Sequence, residues 1–487
     1  MINSRVYGRF IAAVVMMMAC GFLAANPIAA QQSATTGQAG SQSKPEEATL
    51  FPIPDYTGDL GKRPRLTGDW GRLRSTLANK GIQLEVDTVH IFQHVSDPGI
   101  DRTGRYGGSA DYTLKVDTHK LGLWPGGFFK VHAETSFGHS VNGNIGSLAP
   151  ANGDIVFPGL GRTATAMTNV SYIQFLTEWM GIILGKLEGY DADSNEFADD
   201  HRTKFLNLGF DFNLVNGMIP ISTLGAGVLF VPTRDSIVSL SVIDPNGVPT
   251  QSGFSKFFKD GVVIGGEGRI AIKPFGLAGH QLLGFTYSNK ERPSLNQDPT
   301  NIARGLLQSK FPRLNDPGPI LRRILERFFP GLLVPAQPLN REQDTWSVYY
   351  NFDQYLWNPG NDSKQGLGVF FRFGVSDGQA NPVKYHLNLG IGGKGVIPGR
   401  EQDTFGIGWS RLQMSDNFVP FLRKNLGLGL RHDDTFEIFY NVALVGWMKL
   451  TLDLQVIEPG IKKALAGSGL KSVNTAVVPG LRLKMDF

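Results

Sequence analysis

From Gly81 to the last residue, apolar and polar side chains alternate in one segment after another. Gly81–Gln93 sets Ile82, Leu84 and Val86 against Gln83, Glu85 and Asp87. Asp111–His119 sets Tyr112, Leu114 and Val116 against Lys115, Asp117 and His119, and Gly127–Phe137 sets Phe129, Val131 and Ala133 against Lys130, His132 and Glu134. Glu267 and Arg269 share the polar face of Gly261–Ile272, and Arg372 lies with Gly368 and Phe370 on the inner face of Gly366–Val375. Lys384, His386 and Asn388 oppose Tyr385, Leu387 and Leu389; Arg482, Lys484 and Asp486 oppose Leu481, Leu483 and Met485. A period of two is the period of a β-strand. After residue 30 no stretch reaches roughly 18 uninterrupted apolar residues, the length a membrane-crossing helix needs. Two folds remain: an exported soluble sandwich with its apolar faces in a core, or a membrane barrel with them against lipid.

Composition favours the barrel. Gly (60) and Pro (28) are too frequent for a helical protein, and charged residues, at 18%, too few for a disordered one. Hydrophobic residues reach only 41%, yet Phe (32), Tyr (12) and Trp (7) are plentiful. A water-filled barrel needs only a thin apolar band with aromatics at its two edges, which lowers aliphatic content and keeps aromatics high. The net charge of +4 falls to about +2 once Arg5 and Arg9 leave, too little to point to nucleic acid.

Residues 1–30 read as a secretory signal: Arg5 and Arg9, the apolar run Phe10–Ala25, and small residues after Pro27 for cleavage. Cys20, the single cysteine, lies inside it in a poor lipoprotein box, so the mature chain has neither disulfides nor thiolate metal sites. Residues 31–65 form a polar linker without periodicity, and 66–81 a short amphipathic helix with Trp70, Leu73, Leu77 and Ile82 near helical spacing. Residues 82–487 form the barrel, an all-β, antiparallel transmembrane body of about 16 strands, with 289–343 as a long insertion loop. The expected strands are 81–93, 110–119, 127–137, 167–177, 181–187, 224–231, 235–243, 261–272, 279–288, 344–353, 366–375, 383–391, 403–413, 433–443, 447–456 and 475–487. Short turns such as 178–180 and 232–234 alternate with long loops such as 138–166, 188–223 and 414–432, the outer-membrane arrangement. So many strands enclose an aqueous channel rather than a filled core.

Catalytic motifs are weak. Gly390–Gly395 fits G-x-G-x-x-G, but Val396-Ile397-Pro398-Gly399 follows where a dinucleotide site needs a helix, so the segment reads as a tight β-turn. His90 and His94 lack an HExxH setting, and no GxSxG elbow occurs. Asp191, Asp193, Glu196, Asp199 and Asp200, beside His201, Arg202 and Lys204, read as a calcium site, a folded-in loop that narrows a pore, or a solvated loop. Residues 289–341 carry many arginines, with Ile324, Leu325, Phe328 and Phe329 at helical spacing, and suit a cap containing a helix or a solvated insertion. The inward set is Lys115, Lys130, His132, Glu134, Glu267, Arg269, Arg372, Lys384, Arg482 and Lys484, whose basic excess would disfavour cations. Lys130, Glu134, Glu267, Arg269, Arg372, Lys384 and Arg482 are the candidate substrate-binding residues, because paired charges beside aromatic rings suit sugar hydroxyls and C–H faces. The alternative is a wet wall with no binding role.

Several segments resemble the carbohydrate-selective porin family, the OprB-type porins. They are Leu66-Thr67-Gly68-Asp69-Trp70-Gly71, Lys115–Thr118 with Leu121–Gly127, Phe352–Trp357, Gly374–Gly378, Asn388–Gly395, Pro398–Gly408, and Gly480–Leu483 with the terminal Phe487. The resemblance implies a sixteen-stranded barrel in the outer membrane of a Gram-negative bacterium. Its partners are small carbohydrates and outer-membrane lipid, and it needs no cofactor and breaks no bond. Residues 289–341 match nothing in that family pattern. Trimerisation follows only by analogy with other wide barrels. A general or anion-preferring porin is the runner-up, ahead of a barrel enzyme and a soluble exported β-protein.

Overall fold

The computed structural model describes residues 50–487 except 98, 160–162, 299–300, 302–317, 329–337, 361–363, 419, 421–430 and 467–468. The leader expected at 1–30 and the first part of the linker expected at 31–65 lie outside the described residues.

Sixteen antiparallel strands close into one barrel, each paired with its neighbour in sequence. They are β1 (Ile82–Val95), β2 (Thr103–Asp117), β3 (Gly127–Gly138), β4 (Ala164–Phe175), β5 (Met180–Glu188), β6 (Ser222–Thr233), β7 (Ser236–Ile243) and β8 (Val263–Ile272), followed by β9 (Gly279–Ser288), β10 (Thr345–Trp357), β11 (Gly366–Ser376), β12 (Val383–Lys394), β13 (Thr404–Met414), β14 (His432–Val445), β15 (Met448–Glu458) and β16 (Ala476–Asp486). β16 closes on β1 with Asp87 opposite Asp486 and Gln93 opposite Gly480. Closure leaves no strand edge unpaired, which a bilayer requires of any sheet.

The outer wall is apolar and exposed: Phe92, Tyr112, Leu184, Leu240, Leu389, Phe436 and Leu452 each show about two-fifths or more of their surface. Trp124, Trp179, Trp357 and Trp447 sit at the short-turn rim, where Trp124 donates to the Tyr172 hydroxyl at 2.8 Å, the position of an interfacial aromatic belt.

Three features depart from the sequence reading. The connection expected over 94–109 shrinks to 96–102 although it lies on the long-loop side, because β1 and β2 extend further than their alternation shows. There the inward positions turn apolar: Val89 and Ile91 are covered by Leu206, and Val95 joins Val141, Ile145, Ile457 and Val478 in a core at the long-loop end. Gly390–Lys394 is not a turn but the end of β12. The N-terminal helix α1 (Leu73–Asn79) leaves Leu73 exposed and buries Arg74 instead. Arg74 donates to the carbonyls of Leu84 and Phe487 at 2.9 and 2.8 Å, so a buried cation, rather than an apolar face, ties α1 to the β16–β1 seam. Within 289–343, a helix α2 (Pro319–Phe328) stands where the helical spacing places one, and Arg292–Pro293 pairs with Arg341–Glu342 at its base.

Candidate functional site

The interior of so wide a barrel is not left to water. Residues 189–221, between β5 and β6, turn inward and lie along the wall from β10 round to β2. A loop buried in this way brings its backbone N–H and C=O groups with it, and each needs a partner. The inward polar side chains of the wall supply them. Asn388 donates to the Gly209 carbonyl at 2.8 Å, Asn441 to Thr203 at 2.7 Å, and Asn381 to Val215 at 2.6 Å. Arg372 donates to the carbonyls of Phe210 and Asp193 at 2.6 and 2.8 Å, and Arg482 to those of His201 and Lys204 at 2.7 Å each. The Glu437 carboxylate accepts from the Asn207 N–H at 3.0 Å.

Apolar contacts seat the loop as well. Phe197, Phe205 and Phe210 join Tyr355, Phe370 and Phe439 in one buried cluster. Phe205 stacks on Phe210 with centroids 4.4 Å apart and meets Phe439 edge-on at 4.8 Å. The rings fit because the wall has glycine beneath them. A Cβ on Gly406 would lie 2.7 Å from Phe205, on Gly408 2.6 Å from Phe210, and on Gly392 2.7 Å from Phe197. The connection between β3 and β4 adds a second layer. Pro150 and Leu206 accept backbone hydrogen bonds from Leu208 and Gly153 at 2.9 Å each, and the Asp433 carboxylate accepts from Ser147 at 2.8 Å.

The charged tip of the loop meets the wall of β1–β3. Arg202 contacts Asp87 and Ser109 and lies 3.1 Å from Asp111 and 3.0 Å from Asp154. Lys130 sits 3.3 Å from Glu188 and 3.4 Å from Asp191, and His132 bridges Glu188 (2.5 Å) and Asp111 (3.6 Å). Lys115 pairs with Glu85 at 2.8 Å, and Lys484 with Asp486 at 2.5 Å. Apart from Ser109 and Asp154, which are buried, these groups, with Lys204 and its partner Asp199, keep some exposed surface and border the remaining passage. Each cation among them faces at least one carboxylate, so Glu85, Asp87, Asp111, Glu188 and the loop's own acids offset much of the expected basic excess, while the inward Lys449, opposite Lys484, adds to it.

The candidate substrate residues therefore divide. Lys130 borders the passage. Arg269 retains some exposure 3.6 Å from Asp353, which also binds His280 at 2.6 Å. Glu134 is buried opposite Asp111. Glu267 accepts from the Asp193 N–H and the Tyr349 hydroxyl at 2.8 Å each and holds the loop. Arg372 and Arg482, 0% and 1% exposed, present no surface to a solute. Lys384 binds the carbonyls of Ser376 and Asp377 and braces the 377–382 turn. Arg202, Asp87, Asp111 and Glu188 are the groups that candidate list lacks. Their signal was present, with Asp87 and Asp111 on inward faces and Arg202 beside the acidic run. Of the readings of that run, the folded-in loop is the one realised. Asp193 faces Arg372, Asp191 faces Lys130 and Asp199 faces Lys204, so these carboxylates diverge instead of converging on a cation.

His201 gives the loop a pH dependence. Burial alone would lower its pKa, but the Asp211 carboxylate at 2.7 Å, aided by Asp154 and Asp200, lifts it to about 9. A group raised above its unfolded value of about 6.5 contributes fully below that value, and its contribution is lost as pH rises through about 9. Loop docking is expected to weaken between pH 7 and 10, seen as rising conductance and current noise, and His201→Gln should flatten that profile.

Comparison with known proteins agrees with this architecture. The family model for the carbohydrate-selective porin, OprB family, matches residues 101–487. No curated protein sequence matches the chain significantly. Among solved structures, the high-pH structure of Pseudomonas putida OprB is similar with a TM-score of 0.70 at 21% identity, covering 88% of this chain and 99% of that one. The low-pH structure of the same protein gives 0.51 at 15% identity over the same shares. These likenesses establish the fold, and because the family model spans the chain from just before β2 to its last residue, the protein belongs to the OprB family of carbohydrate-selective porins.

Proposed function

We propose that this chain is an outer-membrane channel of a Gram-negative bacterium that passes small, uncharged sugars by passive diffusion and catalyses no reaction. The observation that carries the reading is the pairing of charges around the passage left by the 189–221 loop. A lumen lined by one sign of charge concentrates the opposite ion; paired charges a few ångströms apart cancel at longer range and leave local hydrogen-bond donors and acceptors. Such a surface exchanges hydroxyl–water hydrogen bonds for hydroxyl–protein ones at little net cost, as a solute that must both enter and leave requires. It also disfavours the anion-preferring alternative. Lys130 and Arg269 keep their proposed place as sugar contacts, joined by Asp191 and Glu188, while Arg372, Arg482 and Lys384 act through the loops they hold. Assembly as a homotrimer belongs to the same reading, and the mass of the intact detergent complex tests it.

The deciding experiment is planar-bilayer conductance with a sugar panel. Small single-channel conductance, weak preference between K⁺ and Cl⁻, and saturable block by a neutral sugar are expected. Strong anion preference without sugar block would overturn the proposal in favour of an anion porin.

A further inference from the structure

The last part of the polar stretch before α1 is not a bare linker. Residues 50–66 run across the barrel's short-turn mouth. Tyr56 is buried with the Arg74 guanidinium 4.5 Å from its ring centroid, the Leu60 carbonyl accepts from Trp447 Nε1 at 2.8 Å, and the Leu66 N–H donates to Asp486 at 2.8 Å. These anchors deliver Phe51 inside the mouth. Its carbonyl accepts from the inward Gln83 amide at 2.9 Å, and its ring meets the inward Phe128 edge-on, centroids 5.4 Å apart at 87°. Lys115 Nζ lies 5.8 Å from the Phe51 centroid while paired with Glu85. Both rings are half-buried, and Lys115 and Glu85 keep 25% and 23% of their side-chain surface exposed.

Two partly exposed perpendicular rings beside a cation, a carboxylate and an amide are the components of a sugar site: a flat C–H face packs on a ring while hydroxyls reach the charged groups. Lys115 stands opposite Lys130 in the β2–β3 ladder, so this group adjoins the constriction on its short-turn side. We infer that Phe51, Phe128, Lys115 and Glu85 form an exit subsite for a neutral sugar, completed by a segment from outside the barrel. A weak site just past the narrowest point gives a sugar leaving the constriction a second set of contacts, which lowers the barrier to release.

This inference rests on the sugar-channel reading, and one experiment separates the two. Full-length protein in planar bilayers is titrated with glucose added to the short-turn side, comparing the unaltered chain with Phe51→Ala, Phe51→Leu and Phe51→Trp. Phe51→Ala and Phe51→Leu should each raise the half-blocking glucose concentration several-fold, the leucine showing that a ring rather than bulk matters, and Phe51→Trp should restore block. Lys115→Gln should weaken block independently of the ring. Block unchanged in both Phe51→Ala and Phe51→Leu sinks the subsite and leaves the channel reading intact. Absence of glucose block in the unaltered protein overturns both.

Discussion

Arg372→Ala should convert this narrow channel into a wide one. The guanidinium is fully buried, 3.1 Å from the Asp193 carboxylate, and its remaining donors hold the carbonyls of Phe210 and Asp193. Removing one partner of a buried pair costs about 3–5 kcal/mol, mostly because the other charge is left without compensation. Here the penalty falls on the loop, because the strand ladder on either side of Arg372, to Asn351 on β10 and Asn388 on β12, is made by backbone. The folded barrel should therefore survive while Asp193 and its neighbours seek water by leaving the wall. Conductance should rise several-fold, sugar block should weaken in parallel, and heat-resistant gel mobility, the mark of an intact barrel, should persist. Arg372→Lys should give an intermediate channel, since an ammonium satisfies the charge but cannot reach two carbonyls and a carboxylate as a planar fork does. Unchanged conductance in Arg372→Ala would mean the loop is held without this pair.

That expectation also shows where the sequence was legible. The barrel was, because a period of two states which side chains share a face whatever lies beyond it, and strand count and turn lengths follow from the same pattern. The occupant of the polar face was not. Arg372 and Arg482 alternate inward just as Lys130 does, yet two of the three meet a folded-in backbone and one meets the passage. Alternation assigns a direction to a side chain but says nothing of what fills the lumen. The glycines carried the missing information. Gly368, Gly392, Gly406 and Gly408 stand at inward positions where polar residues are the rule, and each leaves a slot that a loop phenylalanine enters. Read as turn punctuation, Gly390–Gly395 hides this; read as a row of missing side chains on one face, it points to a guest. The inward Val89, Ile91 and Val95 of β1 are the same signal in another form, since an apolar residue on a wet wall implies cover. The 50–66 segment was illegible for a different reason: its anchors are a cation–ring contact, a Trp–carbonyl bond and a backbone bond to the far end of the chain, and none of these has a local period.

Phe205→Ala tests the apolar half of the same attachment. The ring touches Phe210, Phe370 and Phe439 at once, and its deletion leaves a cavity inside the cluster, for which about 3–5 kcal/mol is typical. Conductance should again rise several-fold, and Gly408→Val should do the same from the wall side, because its new side chain would enter the space of the Phe210 ring. The informative measurement is the double variant. If Arg372 and Phe205 both act by holding one loop, releasing it once leaves little for the second change to do, and Arg372→Ala with Phe205→Ala should conduct about as well as the larger single variant. If each instead strained the barrel wall at its own position, conductance changes would multiply and barrel stability would fall with each. Saturation of conductance with stability of the strand ladder preserved therefore separates a loop held at several points from a wall damaged at several points. The same logic extends to Arg482, whose two carbonyl partners lie between Asp193 and Phe210 on that loop: added to either variant, Arg482→Ala should change conductance little.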